Sequence, residues 1–214
     1  LNVLKTSDQI LCEDTRRSIK LLNYYGIKKK LVSYHKFNEK KILNNIISFI
    51  EKGKSVSLIS DAGTPTLSDP GLILVRRCIE KKLKVFPIPG PCSITAAMSV
   101  SGFEDKYLFY GFLPKKNKEL EKIFTELMEY NFSIVFFVPA MKINFYTKYL
   151  KKFFKDRKIF IAREMTKIHE TLYWHTLDNY EGIKNDTRGE ITIVISKKNA
   201  KNFKKFDLDK DKLK

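Results

Sequence analysis

Hydrophobic positions along the chain follow two alternating rhythms. Short apolar or β-branched runs at residues 9–13, 31–34, 54–60 and 84–88 are separated by longer segments in which apolar residues recur every three or four positions. Residues 15–25 form one such segment, closed by Gly26. The next starts after Asn38, a good N-cap, and places Ile42, Leu43, Ile46, Ile47 and Ile50 on one face before Gly53 ends it. Leu72, Val75, Cys78 and Ile79 mark a third helix after Pro70, and small residues from Ser93 to Val100 mark a fourth. Strands separated by helices predict an α/β domain with a mostly parallel sheet over residues 1–106.

The rhythm changes near residue 107. A strand is expected over residues 107–113, followed by a basic connection and a helix to about residue 130. Strands at 132–138, 158–163, 171–176 and 191–196 then follow, with a single helix between the first two, at 141–154. Strands in succession without intervening helices predict a mixed or antiparallel sheet in a second domain, residues 107–197. Residues 198–214 are charged and weakly apolar, and read as a frayed tail or the stub of a further element.

Composition narrows the class. No apolar run reaches the roughly 18 residues of a membrane span. Cys12, Cys78 and Cys92 are odd in number and lack metal-ligand spacing, so no metal site is expected, and they read as reduced, buried thiols of a cytoplasmic protein. The formal charge of +17 favours polyanionic partners. That excess comes from 34 lysines against 7 arginines, a bias that genome composition produces as readily as selection for nucleic acid. Runs such as Lys28-Lys29-Lys30, Lys151-Lys152 and Lys204-Lys205 are read as solvated faces unless the surface gathers them.

The most informative local feature is the segment Ser60-Asp61-Ala62-Gly63-Thr64-Pro65-Thr66-Leu67-Ser68-Asp69-Pro70-Gly71 between the third strand and its helix. Ordinary strand-to-helix connections take about 2–6 residues, so this longer loop at the C-terminal end of a strand is read as ligand-binding. Pro89-Gly90-Pro91-Cys92-Ser93 is a tight turn into a small-residue helix. Tyr110-Gly111-Phe112-Leu113-Pro114 carries two aromatics that suit either a ligand wall or a simple core strand.

Together with Glu13-Asp14-Thr15-Arg16 and Arg163-Glu164-Met165-Thr166-Lys167, these motifs resemble the tetrapyrrole methylase superfamily over residues 1–196. Within it the resemblance is to the branch that methylates a cytidine 2′-hydroxyl in the decoding region of bacterial 16S ribosomal RNA. The resemblance implies two α/β domains with S-adenosylmethionine in the cleft between them, a homodimer, and the small ribosomal subunit as partner. It implies cofactor contacts from Asp61, Ala62, Gly63, Thr64, Pro65, Pro89, Gly90, Pro91, Ser93, Gly111, Phe112, Glu164 and Gly189. Thr64 stands where the superfamily has a carboxylate, with Asp61 just upstream as its substitute. Family members also begin with a strand and a Gly-Pro-rich loop that would precede Leu1, so a fragment is expected.

For the acceptor side, polar groups at strand ends are the candidates. Arg16, with Arg17, suits a phosphate, because guanidinium binds it through two parallel hydrogen bonds. His35 and Asn38 suit contact with sugar or base, or a purely structural hydrogen-bonded turn. Asp14 and Lys167 are candidates for proton acceptor and electrostatic partner. Two other readings stay open: the same fold methylating a tetrapyrrole or another small molecule, and a non-catalytic basic RNA-binding module.

Overall fold

A computed structural model of the chain describes residues 1–183, 188–200 and 206–209, within which two compact units, Leu1–Cys92 and Ser93–Lys214, are distinguished. The first contains α1 (Asn2–Thr6), β1 (Gln9–Cys12), α2 (Thr15–Tyr24), β2 (Lys30–Ser33), α3 (Glu39–Glu51), β3 (Val56–Ile59) and α4 (Leu72–Glu80). Its three strands are parallel in the order β2-β1-β3. Alternation along β1 feeds both faces of this sheet. Ile10 joins Leu22 and Ile27 on the α2 side, while Leu11 joins Tyr34, Ile46, Ile47, Leu74 and Cys78 on the side of α3 and α4. Burying both faces is what a parallel sheet requires, and it explains the dense apolar runs.

Four sequence expectations need correction in this unit. Residues 84–88 form no strand, and Val85, Phe86 and Ile88 are exposed. A strand is held by ladder hydrogen bonds, and none of the described residues pairs with this run, so its apolar content alone does not order it. The buried face of α4 is built from Leu74 and Cys78, not from Leu72 and Ile79, which lie outside. The helix also starts after Gly71, so Pro70 precedes the cap rather than occupying the first turn. Cys12 and Cys78 are buried free thiols, and burial pushes both thiols up, whereas Cys92 is only half-buried.

The second unit contains α5 (Ser93–Ser101), β4 (Tyr107–Phe112), α6 (Asn117–Leu127), β5 (Ser133–Pro139), α7 (Ile143–Phe154), β6 (Lys158–Arg163), β7 (Thr171–Thr176), β8 (Glu190–Ile195) and β9 (Phe206–Asp209). The strand order is β4-β5-β8-β6-β7-β9; β4 and β5 are parallel and every other pair is antiparallel. The sheet is thus mixed, as the run of strands predicts. Ile191, Ile193 and Ile195 of β8 join Leu120 and Phe124 of α6 and Tyr146 and Leu150 of α7 in one core. On α5, the carbonyl of Ser101 accepts the Trp174 indole N–H at 3.1 Å, tying β7 to that helix. Arg157 closes the far end: its buried guanidinium donates to the carbonyls of Met128, Tyr130, Phe132 and Ser196. Within the charged C-terminal segment, β9 extends the sheet, whereas Lys204-Lys205 and residues 210–214 lie outside the described residues.

Candidate functional site

Strand order fixes where the first unit gathers its polar groups. The chain leaves β1 for β2 on one side and returns to β3 on the other, so the C-terminal ends of β1 and β3 flank a topological switch point, where open parallel sheets bind ligands. Two acidic motifs meet there. The Asp14 N–H donates to Asp61 Oδ1 at 3.2 Å, and Arg17 Nε lies 3.5 Å from Asp61 Oδ2. Asp14 also caps α2, accepting from the Arg16 N–H at 2.9 Å and gripping its guanidinium at 3.0 and 2.8 Å. Arg16's side-chain and backbone hydrogen bonds hold the Asp14 carboxyl down to about 2. Glu13 moves the other way, raised first by burial and then by the charge of Asp61.

The loop after β3 is braced internally. Ser60 Oγ donates to the carbonyls of Ala62 and Gly63 at 3.2 and 3.1 Å, and Thr64 Oγ1 donates to the Pro91 carbonyl at 3.0 Å, tying the loop to the Pro89-Gly90-Pro91 turn. Gly63 has a φ of 82°, and a Cβ there would meet only the Pro91 carbonyl, at 3.8 Å. The backbone at Gly63 is therefore approachable. At the loop's far end the Gly71 N–H donates to Glu39 Oε2 at 3.3 Å; a Cβ at Gly71 would strike Leu58 Cδ2 at 2.5 Å.

In the second unit the end of β6 is pinned to the start of β8. The Glu164 N–H donates to the Glu190 carbonyl at 2.9 Å, and the Glu190 N–H returns to Glu164 Oε1 at 2.8 Å. Lys167 Nζ bridges Glu164 Oε1 at 3.0 Å and Glu190 Oε2 at 2.9 Å. Burial pushes the Glu164 carboxyl up, but the Glu190 amide and the Lys167 ammonium outweigh it and leave it lowered. Burial likewise opposes charge on Lys167, and its two carboxylates outweigh that, so it stays firmly an ammonium. Among the described residues six non-glycines have positive φ, and Thr66, Ser68, Glu164 and Thr166 are four of them. Such strain persists where the surroundings over-determine the backbone, often in ligand loops.

The sequence model described as tetrapyrrole (corrin/porphyrin) methylases matches residues 1–180. This chain belongs to the tetrapyrrole methylase family. It is 40% identical over 207 residues to the ribosomal RNA small subunit methyltransferase I of Mesomycoplasma conjunctivae, spanning 96% of this chain and 87% of the relative. The protein of the same name from Thermotoga maritima is 40% identical over 203 residues, spanning 92% and 90%. The crystal structure of the methyltransferase CobJ superposes with a TM-score of 0.67 at 15% identity, covering 95% of this chain and 88% of that one; at that identity the likeness concerns the fold.

Within each unit the tetrapyrrole methylase motifs bring several residues into contact. Asp14, Arg16 and Asp61 are brought together, as are Thr64 and Pro91, and as are Glu164, Lys167 and Gly189. His35 and Asn38 form their own turn: Asn38 Oδ1 accepts the His35 N–H at 2.8 Å, and Asn38 Nδ2 donates to the Ser33 carbonyl at 2.9 Å. Gly111, at φ 90°, sits in a β-bulge where the β4–β5 register shifts after Phe109; Phe112 is exposed, its ring packed edge-on against Phe137 at 5.4 Å. Ala62, Pro65, Pro89 and Gly90 line the braced loops, and Ser93 begins α5. The sequence pattern assigns no part to Glu39, which holds Gly71, and although Gly189-Glu190 resembles a family motif, it does not show that the Glu190 carboxylate shares Lys167 with Glu164. Only the contacts expose them, although the N1 position of Glu39 behind Asn38 is visible in the sequence.

Proposed function

We propose that this protein transfers the methyl group of S-adenosylmethionine to the 2′-hydroxyl of a cytidine in the decoding region of 16S ribosomal RNA, acting as a cytoplasmic homodimer on the small ribosomal subunit. The observation that carries this reading is 40% identity, over most of both chains, to proteins named ribosomal RNA small subunit methyltransferase I. The motifs at 13–16 and 163–167, which resemble the ribose-methylating branch, support the finer assignment.

The residues fit such a cofactor. It carries a sulfonium and an ammonium, and Glu13, Asp14 and Asp61 concentrate carboxylates at one strand-end crevice, where burial and, after it, the charge of Asp61 already push the Glu13 carboxyl up. A cation brought there relieves that repulsion. The carbonyls of Ala62 and Gly63 each keep a second lone pair, and the open backbone at Gly63 admits a bound molecule. We assign cofactor contacts to 61–65 and 89–91 in the first unit and to Ser93, Gly111, Phe112, Glu164 and Gly189 in the second.

Bound S-adenosylmethionine supplies an electrophilic methyl on a good leaving group. The chain must hold the ribose oxygen in line with that methyl and the sulfur, and orientation of this kind is worth up to about 7–11 kcal/mol. It must also receive the hydroxyl proton. Asp14, held anionic by Arg16, has little proton affinity and serves to fix Arg16 for a phosphate. Glu13, with its raised carboxyl, is the better acceptor. Lys167 remains charged and supplies positive potential.

Labelled methyl transfer tests this against three acceptors: small subunits lacking the modification, free 16S RNA, and a corrinoid precursor. Label in the subunits' RNA is expected; label in the corrinoid alone would replace the proposal with a small-molecule methylase.

A further inference from the structure

Helix α7 differs from the other charged helices of its unit. No Asp or Glu falls between Lys142 and Lys155, while Lys148, Lys151, Lys152 and Lys155 all lie exposed. The neighbouring α6 shows what an ordinary solvated face looks like: Lys116 pairs with Glu119 at 3.2 Å, and Glu121 reaches across to Lys152 at 2.9 Å. Lys152 is thereby engaged, and its ammonium also lies 5.3 Å from the Phe153 ring. Lys148, Lys151 and Lys155 have no carboxylate partner among the described residues.

These three follow one another at i, i+3 and i+7, so they share one face and span about 10 Å along the helix axis. The inner face is fully occupied by Ile143, Tyr146, Leu150 and Phe154, so the helix cannot turn to offer another surface. Favourable interaction with the helix dipole accounts for basic residues in the last turn only, and Lys148 precedes it. Like charges at this spacing work against the helix itself. A row of cations kept at that cost, without acids among them, is complementary to a row of phosphates.

We propose that the outer face of α7, through Lys148, Lys151 and Lys155, binds the phosphate backbone of the substrate RNA. The inference rests on the ribosomal RNA reading given above, and assigns to it a docking surface distinct from the strand-end motifs. Each lysine neutralises one phosphate, so the face contributes to affinity and to its salt dependence, not to the chemical step.

The test is fluorescence anisotropy with a single-stranded oligonucleotide of 16S sequence, from about 50 to 200 mM salt. The variant K148Q/K151Q/K155Q is expected to flatten the slope of log K against log salt by about 2, three phosphates at about 0.7 each, and to lose about tenfold or more in affinity at the low-salt end. The arginine version of the same three positions should bind like the parent. K40Q/K41Q/K52Q, which removes equal charge from the exposed side of α3, should change the slope less. Equal loss in both glutamine variants, or an unchanged slope in the α7 variant, overturns the proposal. Methyl transfer distinguishes the two levels of inference. In the α7 variant KM for small subunits should rise at unchanged kcat; an unchanged KM in an active enzyme overturns this surface alone. A parent protein that binds RNA with the predicted slope difference but methylates no subunit overturns the enzymatic reading and leaves the surface standing.

Discussion

Glu164 adopts left-handed backbone at φ 47° while its side chain joins β6, β8 and Lys167. Gly189, at φ 101°, makes room for it: a Cβ there would come within 2.6 Å of the Glu164 carboxylate. Gly189→Ala should therefore destabilise the fold by about 1–3 kcal/mol, read from urea denaturation, since both backbone strain and the carboxylate resist it. A stability equal to the parent's would refute the contact. The lowered carboxyl of Glu164 also sets a sign in pH. A depressed folded value stabilises above the ordinary 4.5 and loses that contribution as pH falls through the folded value. Melting curves of the parent and Glu164→Gln should differ at neutral pH and converge in acid; a gap that widens in acid contradicts the assignment. At this scale the sequence was partly legible. The capping role of Asp14 follows from its place before Thr15-Arg16, but positive φ at Glu164 and Thr166 has no signature in side chains that ordinarily avoid it.

Among elements, Arg157 joins the end of α6, the approach to β5 and the end of β8 through four carbonyls. Arg157→Met keeps apolar bulk and removes every donor, leaving part-buried carbonyls unpaired, so a loss of about 2–4 kcal/mol is expected in chemical denaturation. A loss below about 1 kcal/mol would mean that water replaces the guanidinium. Strands of the second unit were readable because β5, β6 and β8 are buried on both sides and carry dense apolar runs, broken within β8 only by the buried Thr192. Where reading failed, local pattern was ambiguous or insufficient. Leu72-Ile73-Leu74-Val75 is apolar at four successive positions, so spacing alone does not say which ones face α3. Residues 84–88 have strand-like content, yet a strand needs a neighbour and pairing is not written in a single segment.

For the molecule as a whole, the charge of +17 says little until it is distributed. Helices α3, α4 and α6 mix signs, and the acid-free outer face of α7 turns a compositional bias into a surface. Family membership was legible from scattered short motifs because the fold brings them to strand ends: 13–16 follows β1, 60–65 follows β3, and 163–167 starts on the last residue of β6. The opposite environments of the two carboxylates were not legible, since they depend on Arg16 holding Asp14 down and on burial, then the charge of Asp61, pushing Glu13 up. Glu13→Gln should accordingly lower kcat for methyl transfer by about 10²-fold or more with KM for S-adenosylmethionine little changed, whereas Asp14→Asn should act mainly on KM for the RNA. Equal kcat in Glu13→Gln and the parent would remove Glu13 from the chemistry. Mass spectrometry of nucleosides from 16S RNA, after unmodified small subunits are incubated with the protein and S-adenosylmethionine, decides whether the ribose is the acceptor. One new 2′-O-methylcytidine per subunit in the decoding region is expected; a methyl group found only on a base, or no methylated nucleoside at all, would rule out ribose methylation.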